Sequence, residues 1–240
     1  MKKIEIKNLR YEKPSKPWQV RVDRASVLGN PFVMHHESER DKVCEEYKQY
    51  FKRSLVLNQA FANEVTRLMV IYKRHGRLEL FCWCAPKRCH AETIRECIET
   101  AITSFRDDNY FLSNMYPSSI TLGKHTFKCA EAAFQAAKCH TRVAEFYNLN
   151  GFEAKKLGRA VTLRSDWDEV KVDYMRRILK AKFSQHPDLR KKLIQTGNAY
   201  LVEENTWGDT FWGVCNGIGN NLLGRILMFV REDIIKNKEN

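Results

Sequence analysis

The 240-residue sequence predicts an α+β protein, with a small α/β domain over residues 1–104 and a mainly helical domain with short strands over 105–240. Two observations predict this division. The first half alternates short apolar strands with charged helices, whereas the second half is dominated by helical periodicity. Because no repeat, low-complexity tract or Gly/Ser/Pro-rich linker separates the halves, the boundary depends on this change of pattern alone.

The first half has the order strand, two helices, strand, helix. Polar and apolar residues alternate in the first strand, as in a half-buried strand, and Gly76 ends the second helix before a short apolar strand. This order is typical of a small doubly wound sheet. The predicted elements lie at about Gln19–Arg24, Glu37–Lys52, Asn58–Lys73, Leu78–Trp83 and Ala91–Thr103.

The second half contains short strand-like segments near Ile120–Leu122 and Tyr200–Val202. Ser165 or Asp166 is placed to cap a long helix, because short polar side chains satisfy the first free N–H groups of a helix. A final apolar helix is predicted at about Asn220–Ile235. The Asn- and Gly-rich turn before it offers backbone N–H groups to a phosphate, although an ordinary glycine-rich turn explains this sequence equally well.

Composition is that of an ordinary globular protein, with 43% hydrophobic and 29% charged residues. No apolar run reaches the length needed to cross a bilayer, and no apolar stretch follows the basic start as in a secretory signal. We therefore predict a cytoplasmic protein without membrane association. In that compartment the eight cysteines are expected to be reduced thiols.

The formal net charge is +12, and the basic excess occurs in both halves. Proteins this basic often bind polyanions, because neutralising phosphates releases counterions. The charge therefore favours a nucleic acid or a phosphate-bearing small molecule as partner. The alternative is a solvated basic surface with no partner.

The strongest candidate for a catalytic segment is Lys128–Lys138, which is rich in alanine and is predicted to be a helix. Glu131, Gln135 and Lys138 share one face at i, i+4 and i+7. A carboxylate on such a packed surface is expected to have its pKa raised towards the catalytic range. The alternative is that Glu131 is a solvated surface charge.

The sequence contains six motifs that follow one another in a fixed order. They are FLSNMYP, KCAEAAFQAAK, GR, RSDWDEVKVDYMRRILKAKFSQ, TWGDTFWG and GIGNNLLGRILM. Together they resemble the NADAR (YbiA-like) family over about Phe105 to Arg231. The resemblance implies a mainly helical N-glycosidase domain. Because the second half contains no metal-ligand cluster, we expect a reaction without a metal ion or other cofactor. It implies substrates among riboflavin-pathway intermediates or ADP-ribosylated guanine bases of DNA or RNA.

The resemblance also implies residue roles. Cleaving a ribosyl C1–N bond needs an anion near C1 and an activated water. Glu131 is the first candidate for this carboxylate and Asp209 the second. Attack on an opened ribose by Lys182 or Lys138, through a Schiff base, is a weaker alternative to simple hydrolysis. The tryptophans are otherwise explained as core aromatics. The candidate substrate-binding residues are Arg106, Asn114, Gln135, Trp207, Trp212, Gly213, Asn221 and Arg225.

Our leading hypothesis is a hydrolase that removes ADP-ribose from ADP-ribosylated guanine in DNA. An antitoxin, or a protein that counteracts a phage-defence system, would have this activity. One alternative is hydrolysis of riboflavin-biosynthesis intermediates or another free nucleotide. Another is a non-catalytic sensor of ADP-ribose or a nucleotide. The sequence indicates no oligomeric state.

In the first half, the motifs VRVDRASVLGNPF and LFCWCAPKRCHAETI resemble an uncharacterised family that often accompanies NADAR-like domains. This implies a Rossmann-like module that binds a nucleotide or nucleic acid. Lys87 and Arg88, just before a predicted helix, suit a phosphate. Zinc binding by Cys84, Cys89 and His90 is a weaker alternative, because alternation on a strand directs Cys82 and Cys84 to opposite faces.

Overall fold

The computed structural model describes residues 3–237 and confirms the α+β fold class. Its elements, in chain order, are β1 (Lys3–Asn8), β2 (Gln19–Arg21), α1 (Arg40–Leu57), α2 (Gln59–His75), β3 (Arg77–Cys82), α3 (Ala91–Glu99), β4 (Pro117–Leu122), β5 (His125–Cys129), α4 (Ala130–Ala136), α5 (Gly151–Leu157), α6 (Trp167–Gln185), α7 (Pro187–Gln195), β6 (Glu204–Asn205), β7 (Val214–Cys215) and α8 (Leu222–Lys236). Short 3-10 helices lie at Glu37–Glu39, Asp107–Leu112 and Val143–Phe146.

The chain forms two compact units. The first contains the residues up to Ala101 together with Asn198–Leu222, and the second contains Ile102–Gly197 together with the residues from Leu223 onward. The segment Asn198–Leu222, which the sequence analysis groups with the second half, is therefore part of the first unit in space.

The first unit is built on a parallel sheet with the strand order β1-β3-β2. β3 is its central strand, and its residues from Leu78 to Cys82 are all buried, as expected for a strand covered on both faces. β1 was not predicted, because its alternation of Ile4 and Ile6 with charged residues is only six residues long. Its pairing with β3 supplies the stabilisation that its own sequence does not indicate.

The helix boundaries of the first unit follow local sequence signals. Asn58 caps α2 by accepting a hydrogen bond from the backbone N–H of Phe61. Gly76 ends α2 in the left-handed conformation with φ of 66°, where a side chain would be strained. The predicted break at Gly76 is confirmed.

The strand predicted at Tyr200–Val202 is wrong. The three residues are buried, but only Leu201 makes an isolated bridge. A short apolar run indicates burial without indicating strand pairing. The Tyr200 hydroxyl instead lies 3.2 Å from the Thr66 hydroxyl on α2.

The turn before α8 has little capacity for a phosphate. The backbone N–H groups of Asn220, Asn221 and Leu222 donate to the carbonyls of Thr210, Gly213 and Phe211. These donors are already satisfied within the chain, which favours the ordinary-turn explanation.

The second unit places α4 after the β4–β5 hairpin and packs it against α5 and α6. All seven residues of α4 are buried. Gly151 and Gly158, at the two ends of α5, allow this close approach, because an added Cβ would collide with Met115 and Gln135 respectively. Small residues on both helices thus bring polar groups of α4 into the packed interior.

Two further observations concern membrane crossing and the state of the cysteines. In the part of the chain that the structure describes, no helix combines the length and the apolar character that a bilayer crossing requires. All eight cysteines are free thiols.

Candidate active site

Glu131 lies in the first turn of α4 with only 8% of its surface exposed. Its Oε1 accepts a hydrogen bond of 2.7 Å from the Gln135 side-chain amide, one helical turn later. The shared face predicted for the two residues therefore exists, and it points inward. A buried carboxylate held by a neutral amide is a suitable group for acid–base or electrostatic chemistry.

Asn114 adds a second buried amide next to this carboxylate. The backbone carbonyl oxygen of Asn114 accepts from the Glu131 backbone N–H at 2.9 Å, and the Asn114 side-chain nitrogen lies 3.4 Å from the sulfur of Met175. Within residues 3–237, Asn114 Oδ1 and Gln135 Oε1 have no hydrogen-bond partner. Buried acceptors without partners are costly, so these two oxygens are suited to accept from the hydroxyls of a ligand.

Lys138 follows the end of α4 and is half-buried. Burial lowers the pKa of its ammonium group, and the nearby charge of Glu131 opposes that shift. Lys138 therefore lies within electrostatic reach of the carboxylate, as its helical spacing predicts.

Lys182 is fully buried on α6. Its Nζ donates to the carbonyl oxygens of Phe111 and Ser113 at 2.7 and 2.8 Å. Burial lowers the pKa of Lys182 to about 7. The geometry assigns it a positioning role, because it fixes the loop that carries Asn114, while its role as a Schiff-base nucleophile stays a prediction.

Two arginines complete the predicted set in the second unit. Arg225 is buried on α8, whereas Arg106 is exposed at the start of the 3-10 helix Asp107–Leu112. The substrate-binding roles of both arginines stay predictions.

The other predicted residues lie in the first unit. The Asp209 carboxylate accepts hydrogen bonds from the backbone N–H groups of Phe211 and Trp212 at 3.1 and 2.9 Å. The Asn221 side chain bonds to the backbone of Glu203 and Leu201. Asp209 therefore holds a turn in place, whereas Asn221 joins two segments that lie 18 to 20 residues apart in the chain. The spacing of polar residues alone reveals neither role.

Trp207 is 55% exposed and Trp212 is half-buried. Trp212 meets the ring of Phe211 edge to face, with 5.0 Å between centroids. Gly213 is closely packed, because an added Cβ would collide with the Glu203 carbonyl. Because more than half of the Trp207 side chain is exposed, its ring offers a flat surface on which a ligand could stack.

A cavity of about 600 Å³ lies elsewhere in the second unit. Its wall includes Tyr116, His186, Lys191 and Lys192, and it does not include Glu131. Sequence reasoning did not single out this cavity, since β4 and α7 are distant in the sequence. Its basic wall suits a phosphate group.

The zinc alternative finds no support among the described residues, where no group of three or more His, Cys, Asp or Glu side chains is arranged for a metal ion. The prediction that Cys82 and Cys84 point to opposite faces is nevertheless wrong. Residues two apart in a strand lie on the same face, so alternation does not separate Cys82 from Cys84, and β3 in any case ends at Cys82. The thiols of Cys82 and Cys89 lie 3.2 Å apart, and both influence the pKa of Cys84.

Replacing Gly158 with Ala tests whether Gln135 positions Glu131. The new methyl group would overlap Gln135 Oε1, the movable end of a side chain, so the protein is expected to fold with its unfolding temperature lowered by only a few degrees. Displacing the amide removes the hydrogen bond to Glu131, and turnover is expected to fall about tenfold.

Turnover and thermal unfolding of the Gly158→Ala variant are compared with those of Lys156→Ala, on the exposed side of the same helix. Equal turnover in the two variants would contradict the positioning role of Gln135.

Comparisons with known proteins identify the family of each half of the chain. Residues 102–235 match the family model "NADAR domain", and residues 7–100 match "Domain of unknown function (DUF4326)". The chain is 34% identical over 160 residues to the N-glycosidase YbiA of Escherichia coli K12, covering 62% of this chain and 98% of that protein. An NMR structure of E. coli YbiA superposes with a TM-score of 0.54 at 34% identity, covering 59% of this chain and 89% of YbiA.

A riboflavin biosynthesis protein of Vibrio vulnificus is 38% identical over 135 residues, which are 53% of this chain and 36% of that protein. The match therefore spans about a third of this longer relative. The family model covers more than half of the chain. The chain belongs to the NADAR family and carries a DUF4326 domain at its N-terminal side.

Proposed function

We propose that this chain is an N-glycosidase that hydrolyses the bond between a ribosyl C1 and a base nitrogen, with Glu131 as the catalytic carboxylate. The buried Glu131, held by Gln135, is the observation that carries the proposal. The names of the YbiA relatives as N-glycosidases support the reaction class.

In this proposal, the C1–N bond breaks with its electron pair going to the base nitrogen, and the oxygen of a water molecule forms the new bond to C1. The Glu131 carboxylate stabilises the oxocarbenium-like state and accepts the proton of the attacking water. The nitrogen of the departing base takes up one proton, which balances the proton that Glu131 accepts from water. Asn114 Oδ1 and Gln135 Oε1 accept hydrogen bonds from ribose hydroxyls.

The substrate class we propose is ADP-ribosylated guanine in DNA. The net charge of +12 favours a polyanion, and Lys191 and Lys192 in the wall of the 600 Å³ cavity are suited to phosphates. Arg176 and Arg177 both pair with Asp173, and Lys180 pairs with Asp233, so that part of the basic surface is partly neutralised. The α7 lysines are therefore the better candidates for DNA contacts.

A free nucleotide of the riboflavin pathway is the second candidate, and the name of the Vibrio vulnificus relative favours it. The two candidates are separated by incubating the protein with a guanine-ADP-ribosylated oligonucleotide and, separately, with riboflavin intermediates. Mass spectrometry then detects released ADP-ribose or the free base. Release from the oligonucleotide alone supports the DNA substrate, release from the intermediates alone supports the second candidate, and binding without release supports a sensor.

Reversing the charge of the α7 lysines tests the DNA contact directly. The double variant Lys191→Glu, Lys192→Glu is expected to lower kcat/KM for the modified oligonucleotide about tenfold, because lost phosphate contacts weaken binding. Activity on an ADP-ribosylated guanosine without a DNA backbone should stay the same.

The matched control is Lys155→Glu, Lys156→Glu, which makes the same charge change on α5. If both double variants lower oligonucleotide turnover equally, general charge and not the α7 surface is responsible.

A further inference from the structure

The first unit contains a cavity of about 320 Å³ that the N-glycosidase proposal does not use. It opens where β2 and β3 end, beside Asp23, Arg24 and Trp83. Ligands of open parallel sheets bind outside the carboxyl ends of the strands, so this position is typical of a binding site. A volume of this order is suited to a ligand of about mononucleotide size.

Two guanidinium groups are fixed in the wall of this cavity. Arg24 donates to the carbonyl oxygens of Asn30 and Phe32 at 3.1 and 2.7 Å. Arg40 donates to Glu37 and to the Arg88 carbonyl, and it is also hydrogen-bonded to Cys84. Both guanidinium groups are thus held in place before any ligand arrives. Arg40 shares its charge with Glu37, whereas the partners of Arg24 are neutral carbonyls, so Arg24 supplies the larger attraction for an anionic group.

The acidic residue of the wall is already neutralised. Asp23 is buried and accepts hydrogen bonds from Arg21 at 2.7 Å and from the Trp83 indole N–H at 2.9 Å. The second bond fixes the Trp83 ring, which is 60% exposed. A rigid aromatic face with free surface is suited to stacking on a flat ring.

Three thiols meet at the same end of β3. Cys82 Sγ lies 3.2 Å from Cys89 Sγ, and both of these thiols are buried, whereas Cys84 in the cavity wall is only half-buried. The neighbouring thiols of Cys82 and Cys89, together with the Arg40 guanidinium, lower the pKa of Cys84. The neighbouring thiols of Cys82 and Cys84 instead raise the pKa of Cys89. Cys44 also lines the cavity, and burial raises its pKa.

We propose that this cavity is a second reactive site, in which Cys84 is the nucleophile for an anionic ligand of about mononucleotide size that carries a flat ring and an electrophilic carbon. Arg24 and Arg40 bind the anionic group, and Trp83 stacks on the ring. In the reaction, the Cys84 sulfur forms a bond to the electrophilic carbon, and the bond from that carbon to its leaving group breaks, with the electron pair going to the leaving group. Cysteine reacts as the thiolate, which the three donors around Cys84 stabilise.

Alkylation of the native full-length protein at pH 7 tests the nucleophile and the anion site together. Neutral iodoacetamide and anionic iodoacetate are the probes, and mass spectrometry follows each cysteine separately. Cys84 is expected to react with iodoacetamide about tenfold faster than the half-buried control Cys215. Because the two arginines attract an anion, the ratio of the iodoacetate rate to the iodoacetamide rate should also be several-fold higher at Cys84 than at Cys215.

The Arg40→Gln variant should lower that rate ratio at Cys84 and leave Cys215 unchanged. Adenosine 5′-monophosphate should protect Cys84 from iodoacetamide, and adenosine should protect it less. Equal alkylation rates at Cys84 and Cys215 would overturn the assignment of the nucleophile. Equal rate ratios, or no protection by the nucleotide, would overturn the assignment of an anionic, nucleotide-sized ligand.

Discussion

The Glu131→Gln variant is expected to hydrolyse the N-glycoside about a thousandfold more slowly than the wild type, because it removes the charge that stabilises the transition state and the base that activates water. The substitution changes one oxygen to nitrogen, and the remaining oxygen still accepts the hydrogen bond from Gln135. Folding and substrate binding should therefore be retained. Turnover is measured by mass spectrometry of the released ADP-ribose, or of the free base for a nucleotide substrate, and binding by calorimetry.

The matched control is Glu169→Gln, which removes the same charge at an exposed position in the first turn of α6. Its turnover should equal that of the wild type. If Glu131→Gln retains wild-type turnover, Glu131 is not the catalytic carboxylate. If no N-glycoside is hydrolysed by either protein but nucleotide binding is unchanged by the substitution, the sensor explanation is correct.

Local patterns identified the face of α4 correctly. Residues four apart on a helix are neighbours by geometry, so Glu131 and Gln135 meet in any fold that keeps α4 helical. Whether that face points inward depends on what covers it. The alanine-rich composition of the segment indicated this, because small side chains allow other elements to approach closely.

The interactions that sequence reasoning missed join residues distant in the chain. Lys182 bonds to the carbonyls of Phe111 and Ser113, about 70 residues earlier. The backbone of a loop has no residue-specific signal for such a contact. Cys82 and Cys84 are a different case, because residues two apart in a strand lie on the same face and strand alternation therefore places them on one side.

The segment Asn198–Leu222 shows a further limit of linear reasoning. It follows the second unit in sequence and carries Trp207, Asp209 and Trp212, yet it belongs to the first compact unit. Aromatic and polar motifs indicate that a segment is specialised, but they do not specify the unit on which it folds. Asp209 bonds to the backbone two and three residues later, so part of the polar signal in this segment reflects turn formation.

The stability of the protein is expected to depend on pH through Lys182. Burial lowers its pKa from 10.5 in the unfolded chain to about 7 in the native state. Between these two values the unfolded state binds more protons than the native state, so stability rises with pH. Below pH 7 both states are protonated, and the contribution of Lys182 is constant there.

The Lys182→Met variant isolates this contribution. The free energy of unfolding of the wild type should rise by about 2 kcal/mol relative to the variant between pH 7 and 9, as the shift of the pKa implies. Urea unfolding of both proteins at pH 6, 7, 8 and 9 measures the difference in the free energy of unfolding at each pH. Subtraction removes the titration of every group that the two proteins share.

The control is Lys180→Met on the same helix, which removes an exposed ammonium group that pairs with Asp233. This variant should give a flat difference over the same pH range. A flat difference for Lys182→Met as well would show that the buried lysine stays charged in the native state. Its two backbone carbonyl partners and the rings of Tyr116 and Phe183 would then compensate for the loss of water around the ammonium group.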